Sequence, residues 1–556
     1  MEPITNEGKS PNKAMQEQAN PVMGQANPVT RQANPVQEQP NPMMGQANPV
    51  QEQANPVMEQ NTIYFLVVSL IYGICFTIAF YKNYVGVTFP LIVAATIGVC
   101  VLFLRKAQIA WRKENVYYVA PVLLLGISTA LTDNVFVVFF NTVGILLLLA
   151  VFMLRQFYPE ANWNLGQSLC NICFFYLCMI PMMAAPFQHF GKYRRSQKSR
   201  EAKNPYVKPV LLGILIGLPL LLFVVSMLSS ADAIFDQYIG GGLRRLLDQV
   251  VLSPNVVLVI FLLLFGFFAS YAFLAVLTMR NMPRWREKEY RKNPVTAITF
   301  IAMITAVYLI FCVIQLVFLF TGGLVLPAGY TYAQYAHQGF FQLLFLCIFN
   351  LALVLCCIRL FEENRLLKIL LLVFSGCTYI MIASSALRMI LYIGTYHLTF
   401  LRVLVLWFLA LLAFLMAGVI AQIWRKKFPF FRYGMVLVTV FYLLLSFGRA
   451  DYWIARYNVA QWGEEMDYED VEYLCGLSMD AAPALADMRV SHTNHSEKCV
   501  IYWSGDEYEA WAQCPACELE VYFARAAAKG EHMDVRTFNL SRYLAGRAAK
   551  EYLSER

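Results

Sequence analysis

Hydrophobic and polar positions fall into three regimes along the chain. Residues 1–61 contain almost no apolar clusters. From Gln18 a seven-residue unit recurs as QANPVMG, QANPVTR, QANPVQE, QPNPMMG, QANPVQE and QANPVME, setting Asn-Pro at Asn20, Asn27, Asn34, Asn41, Asn48 and Asn55. Proline in every unit forbids a continuous helix, and no a/d pair of apolar residues accompanies the repeat. Gln/Asn/Pro sequence buries too little to offset its chain entropy, so the pattern predicts a disordered tail over 1–61. Such a tail is either a repeat-expanded linker or a multivalent ligand for a cytoplasmic partner.

From Thr62 to Phe447 long apolar stretches follow one another. A helix needs about 20 apolar residues to cross the hydrocarbon core. The runs predict spans at 62–81, 84–104, 117–132, 134–154, 209–229, 255–278, 296–321, 339–360, 367–392, 399–423 and 433–449. No period-two alternation occurs, so the fold class is all-α, a polytopic helical bundle. A further apolar segment, 166–188, starts among Asn164, Gln167 and Asn171 and is interrupted by Pro181 and Pro186. It predicts an interfacial or re-entrant helix, leaving eleven spans over 62–449, or twelve if the boundaries around 117–154 are redrawn.

Composition agrees with this pattern. Apolar residues make up 58% of the chain and charged residues 14%, against about 45–50% and about 25% in soluble domains. Mean hydropathy is +0.51. Too little polar surface remains for a soluble cytoplasmic enzyme. Lys and Arg collect in loops near Arg105–Lys113, Lys192–Lys208, Arg280–Lys292, Arg359–Lys368 and Arg425–Arg432, whereas the loops near 322–338 and 393–399 have none. By the positive-inside rule the basic loops and the N-terminus are cytoplasmic and the C-terminus is extracytoplasmic. The net charge of +8 is spread over short loops, which favours anionic lipid over nucleic acid as a partner.

Residues 450–556 turn acidic and then rich in helix formers, predicting a small, mainly helical extracytoplasmic domain with a short strand at Lys498–Trp503. It carries Cys475, Cys499, Cys514 and Cys517, the last two spaced C-P-A-C. Outside the cytoplasm, disulfides are the expectation for these four. A zinc site with His492 or His495 would need a second Cys-x-x-Cys at finger spacing, and none is present. No nucleotide, metalloprotease or hydrolase motif occurs, so neither a metal nor a cofactor is expected.

Candidate chemistry gathers at the outer ends of the spans. Arg388 lies one helical turn before Tyr392, so both share a face. His397 and Arg402 follow, and Tyr330, Tyr335, Asp232, Asp236 and Asp451 occupy the same side. Arg388 and Arg402 stand where basic residues are scarce, and an Arg inside a span costs a few kcal/mol unless partnered. The three aspartates are the expected partners. One reading is a partly buried cleft for an anionic headgroup, glycan phosphate or peptide; the other is a structural ion-pair network beside an aromatic belt. Asn350 and Gln315 read as interhelical hydrogen-bond glue, and no Asp, Glu or Lys interrupts the middle of a span, which argues against an ion-coupled carrier.

At these residues the sequence resembles a known family. ADAIF (231–235), NPVTAI (293–298), LPAGYTYAQYAHQGFFQL (326–343), ALRMILYIGTYHLTFLR (386–402), ARYNV (455–459) and LSMDAAPAL (477–485) are similar to the bacterial polytopic domain of unknown function 4173, related to domain of unknown function 4153. The resemblance covers about the second half of the chain. The resemblance implies a multi-pass integral membrane protein of the bacterial cell envelope, in the plasma membrane, and no established activity. The functional expectation is sensing, scaffolding or binding of an extracytoplasmic ligand. The alternatives are a transporter or flippase of a lipid-linked headgroup, and a membrane transferase using Asp232, Asp236 or His397 as base.

Overall fold

Apolar runs of this length become helices because only a helix satisfies every backbone group within its own segment. In the computed structural model the described residues are 56–157, 165–197, 254–279, 292–317, 340–425, 428–462, 466–488, 501–504, 507–510 and 515–554, with isolated residues between 213 and 235. The expected span at 209–229, most of the repeat tail, Tyr330, Tyr335, Asp232, Asp236, Cys499 and Cys514 lie outside them.

Seven helices make a first group: α1 (Thr62–Phe80), α2 (Thr88–Lys106), α3 (Val116–Thr129), α4 (Val135–Phe157), α5 (Leu165–Met182), α6 (Ala185–Gln197) and α7 (Pro254–Val276). Phe65, Phe103, Phe152, Phe175 and Tyr271 fill its core. Helices α1 and α7 meet at glycines: a Cβ on Gly73 would lie 2.8 Å from the Leu263 carbonyl oxygen. Small residues let spans approach this closely where water supplies no driving force.

A second group comprises α8 (Pro294–Gln315), α9 (Phe340–Leu360), α10 (Arg365–Thr395) and α11 (Phe400–Trp424). Asn293 and Asn364 cap α8 and α10 by accepting from the Val295 and Leu366 amides at 2.9 and 2.8 Å. Phe374, Met381, Leu409 and Met416 lie in its core, bridged by a short polar chain. Tyr308 donates to Asn350 Oδ1 at 3.0 Å, and Asn350 donates to Thr378 Oγ1 at 3.1 Å. Helix α12 (Phe430–Phe447) joins the two groups. Its Ser446 and Tyr442 donate to Asn141 Oδ1 of α4 at 2.7 and 3.0 Å.

Among the described residues nine helices are long and apolar enough to cross a membrane, or ten if α5 and α6, bent by 55° at the break between them, count as one span. That break falls between Pro181 and Pro186, as their positions predict. Helix α3, expected as a span, has 14 residues and rises only about 21 Å, short of the roughly 30 Å core. The predicted disordered tail also ends early. Val57–Gln60 is a helical turn whose Met58 is fully buried.

The C-terminal segment contains α13 (Ala450–Trp462), α14 (Tyr468–Cys475), a one-turn helix Ala482–Leu485, an antiparallel hairpin of β1 (Ile501–Ser504) and β2 (Glu507–Ala510), α15 (Pro515–Glu531) and α16 (Leu540–Ser554). Ile454, Val471, Leu485, Leu519, Phe523 and Ala549 form its own apolar cluster. Burying each large aliphatic or aromatic side chain contributes about 1.5–3 kcal/mol. The segment meets the helix ends near residues 81–88, 129–135 and 397–402. Arg105, Lys106, Arg155, Arg359, Arg365, Arg425 and Arg432 all stand at the opposite ends of their helices.

Candidate functional site

Helix α10 has 31 residues, more than a crossing needs, so its final turns carry Arg388 and Tyr392 toward the C-terminal segment. Arg388 is buried, 7% exposed. Its Nη2 donates to Gln315 Oε1 at 3.3 Å, and Ser384 Oγ donates to the same oxygen at 2.7 Å. Gln315, expected to serve only as interhelical glue, is thus also the acceptor for this guanidinium. One turn further, the Tyr392 ring lies under Arg402, whose guanidinium carbon is 4.4 Å from the ring centre. This is cation–π geometry.

The chain leaves α10 through His397, whose φ of 47° is left-handed. For a non-glycine residue that strain costs of order 1 kcal/mol and must be held by neighbours. Four contacts do so. The His397 carbonyl accepts from Arg402 Nη1. Its Nε2 stands 2.9 Å from Asp470 Oδ2, and its ring meets Trp462 edge-on at 4.6 Å. Asn458 brackets the next residue, accepting from the Leu398 amide and donating to its carbonyl, both at 2.8 Å. Burial holds the Asp470 carboxyl above the usual aspartate range, while the facing imidazole pulls it back.

Asp451, 2% exposed, does not join this cluster. Its Oδ2 accepts from Asn134 Nδ2 at 2.7 Å and Ser478 Oγ at 2.5 Å, so its hydrogen bonds run to neither arginine. Beside it Asp480, 1% exposed, accepts from Thr132 Oγ1 and has Arg449 Nε 3.7 Å from its other oxygen. Arg449, at φ 47°, is where the chain leaves α12. Burial holds the Asp480 carboxyl above its ordinary range, Thr132, Ser541 and Arg449 oppose this, and Asp451 adds to it. A third aspartate, Asp133, pairs with Arg542 at 2.7 Å and Lys529 at 3.2 Å. Asn539 Nδ2 donates to the carbonyls of Val85 and Thr132 at 3.0 and 2.9 Å.

The expected site residues therefore separate. Arg388, Tyr392, Arg402 and His397 form one line along α10 and the start of α11; Asp451 belongs to a buried junction under the C-terminal segment. Of the three bases expected for a transferase only His397 is described, and its Nε2 already faces Asp470. Sequence reasoning missed Thr132, Asp133, Asn134, Ser478 and Asp480. The signal available was a Thr-Asp-Asn run between two apolar stretches and the LSMDAAPAL motif. No group of three or more His, Cys, Asp or Glu able to hold a metal occurs among the described residues.

The cysteine expectation divides as well. Cys475 is a buried free thiol on α14, not half of a disulfide, because it points into the apolar cluster; burial pushes its thiol up to about 12. Cys517 is disulfide-bonded, with a partner outside the described residues.

Long apolar helices in two groups, capped at one end by a docked polar segment, define an integral membrane protein. The family described as "Domain of unknown function (DUF4153)" matches residues 119–488, two thirds of the chain, and the chain belongs to it. The match starts well before the first quoted motif at 231–235, and it takes in Thr132, Asn134, Asp451, Ser478 and Asp480. No curated protein and no solved structure matches the chain.

Proposed function

We propose that this is a multi-pass protein of the bacterial plasma membrane, with the N-terminus in the cytoplasm and an extracytoplasmic C-terminal domain over 450–556. It binds an anionic envelope ligand at the Tyr392–His397–Arg402 line and acts as a sensor or scaffold. One observation carries the reading: a partly exposed guanidinium held over a tyrosine ring at the lip where α10, α11 and α14 meet. A guanidinium so placed suits carboxylate or phosphate recognition. The C-terminal segment bonds to both helix groups, so a ligand bound at that lip acts on both. Basic residues at the opposite helix ends support the orientation, as does a disulfide in the C-terminal segment, a bond of oxidising compartments. The motifs of the second half further support kinship with domain of unknown function 4173.

The test is the small-molecule content of the full chain extracted in native-lipid particles. Wild type and Arg456→Ala, a change at an exposed arginine of the same end, retain an anionic species, and Arg402→Ala loses it at least tenfold. Equal retention by Arg402→Ala contradicts the reading.

A second reading, carriage of a lipid-linked headgroup, draws on Arg388, a cation buried inside a membrane-crossing helix beside Ser384 and Gln315. Vesicles containing the protein and fluorescent phosphatidylglycerol separate the two. Carriage scrambles the lipid between leaflets in an Arg388-dependent way; sensing leaves it in place.

A further inference from the structure

The link between α15 and α16 is a closed turn. Asp534 Oδ1 accepts from the Thr537 amide at 2.7 Å and from Thr537 Oγ1 at 2.9 Å, and the Asp534 amide donates to Thr537 Oγ1 at 2.9 Å. A side chain that bonds its own backbone in this way fixes the turn without help from neighbours.

The turn sits directly on the connection between α1 and α2. Arg536 Nη1 donates to the carbonyls of Ile78 (3.1 Å) and Tyr81, two acceptors that the end of α1 leaves open. Asn83 Nδ2 donates to the Arg536 carbonyl at 3.2 Å, and the Val87 amide donates to the Phe538 carbonyl at 3.0 Å. A Cβ on Gly86 would meet the Arg536 carbonyl oxygen at 2.5 Å and Thr537 Cα at 2.8 Å, so backbone lies on backbone.

These contacts fix the depth of the turn at the last turn of α1, a candidate span whose Ile74 and Ile78 are 47% and 57% exposed. At that depth the turn offers Val535 at its tip, 92% exposed, and Phe538. Exposed Tyr543 lies beside Phe538, the rings 5.9 Å apart, and exposed Tyr84 is on the α1–α2 connection that the turn sits on. Two apolar side chains with tyrosines beside them at the end of a span have the composition of a membrane–water interface.

We propose that the Asp534–Phe538 turn is a lipid-inserting wedge. Val535 and Phe538 enter the interfacial region of the leaflet beside α1, continuous with the lipid-facing stripe of Ile74 and Ile78. The C-terminal segment is then held by the bilayer as well as by the helix ends.

The test places a photo-crosslinking amino acid at Val535 in the full chain, in vesicles of phosphatidylethanolamine and phosphatidylglycerol, with the exposed Lys550 of α16 as the control position. Substitution at a side chain this exposed leaves the fold intact, which retention of the wild-type unfolding temperature verifies. The wedge gives lipid adducts at 535 at least tenfold above those at 550. Equal yields at both positions, or adducts at 535 only with protein, overturn it.

Discussion

The interior of the second helix group and the junction under the C-terminal segment are both buried, but different chemistry holds them. Inside the group most polar contacts among the described residues are neutral, Tyr308 to Asn350, Asn350 to Thr378 and Ser384 to Gln315, with the Arg388 guanidinium on Gln315 the charged exception near the end of α10. Neutral bonds of this kind average about 0.6 kcal/mol within membranes, because separated helices also find partners. At the junction Asp133, Asp451 and Asp480 are each nearly or fully buried and accept from residues more than 300 positions away. A buried carboxylate keeps its charge only if its partners stay, so removing one costs far more than an interhelical amide bond. The second helix group thus depends chiefly on shape and apolar packing, and the docking of the C-terminal segment depends on buried aspartates keeping their hydrogen-bond partners.

The comparison can be broken most severely at Asp480. Asp480→Ala leaves the Thr132 hydroxyl without its acceptor and the Arg449 guanidinium without its counter-ion. We expect a loss of about 2–4 kcal/mol, read as earlier proteolysis of the C-terminal segment while far-UV helix content is retained. Undiminished protease resistance would show that the junction is not what holds the segment.

The pH dependence at the same residue follows from its raised carboxyl. The folded state binds that proton more tightly than the unfolded chain does. Its contribution is therefore fully present below the ordinary aspartate value of about 3.9 and is lost as pH rises through the raised folded value. Docking should weaken in the wild type as pH rises above the ordinary aspartate value, and Asp480→Asn should flatten the slope. A slope unchanged by Asp480→Asn assigns it elsewhere.

Asp133→Asn should cost less, about 1–2 kcal/mol, since Lys529 and Arg542 are 45% and 27% exposed and solvent screens them. Its effect should shrink in high salt, and unfolding curves at two ionic strengths check this. The smallest change is expected inside the second group, where Asn350→Leu removes its neutral bonds to Tyr308, Thr378 and the Met381 sulfur for about 1 kcal/mol and leaves the segment's protease resistance untouched.

The sequence exposed the helices far better than the junction, for a physical reason. Hydropathy is a local property, so each expected span within the described residues meets a helix at nearly the predicted position, and Pro181 and Pro186 located the α5–α6 break. Partnerships across hundreds of positions leave no local trace. Nothing near Thr132 points to Asp480, and Asp451 was matched to Arg388 and Arg402 because topology put all three at one end. The line Arg388–Tyr392–Arg402 was legible because helical spacing and a short loop connect its members. Helix α3 misled because its apolar run extends to Thr132, whereas the helix stops at Thr129 and Thr132 turns to Asp480.

A double-mutant cycle on Thr132 and Asp480, using Thr132→Val, Asp480→Asn and the combined variant with thermal unfolding of the full chain, tests the docking account most directly. The account predicts a coupling of about 1–3 kcal/mol, the range found for residues sharing a buried hydrogen bond. Losses that add to within about 0.5 kcal/mol would contradict it.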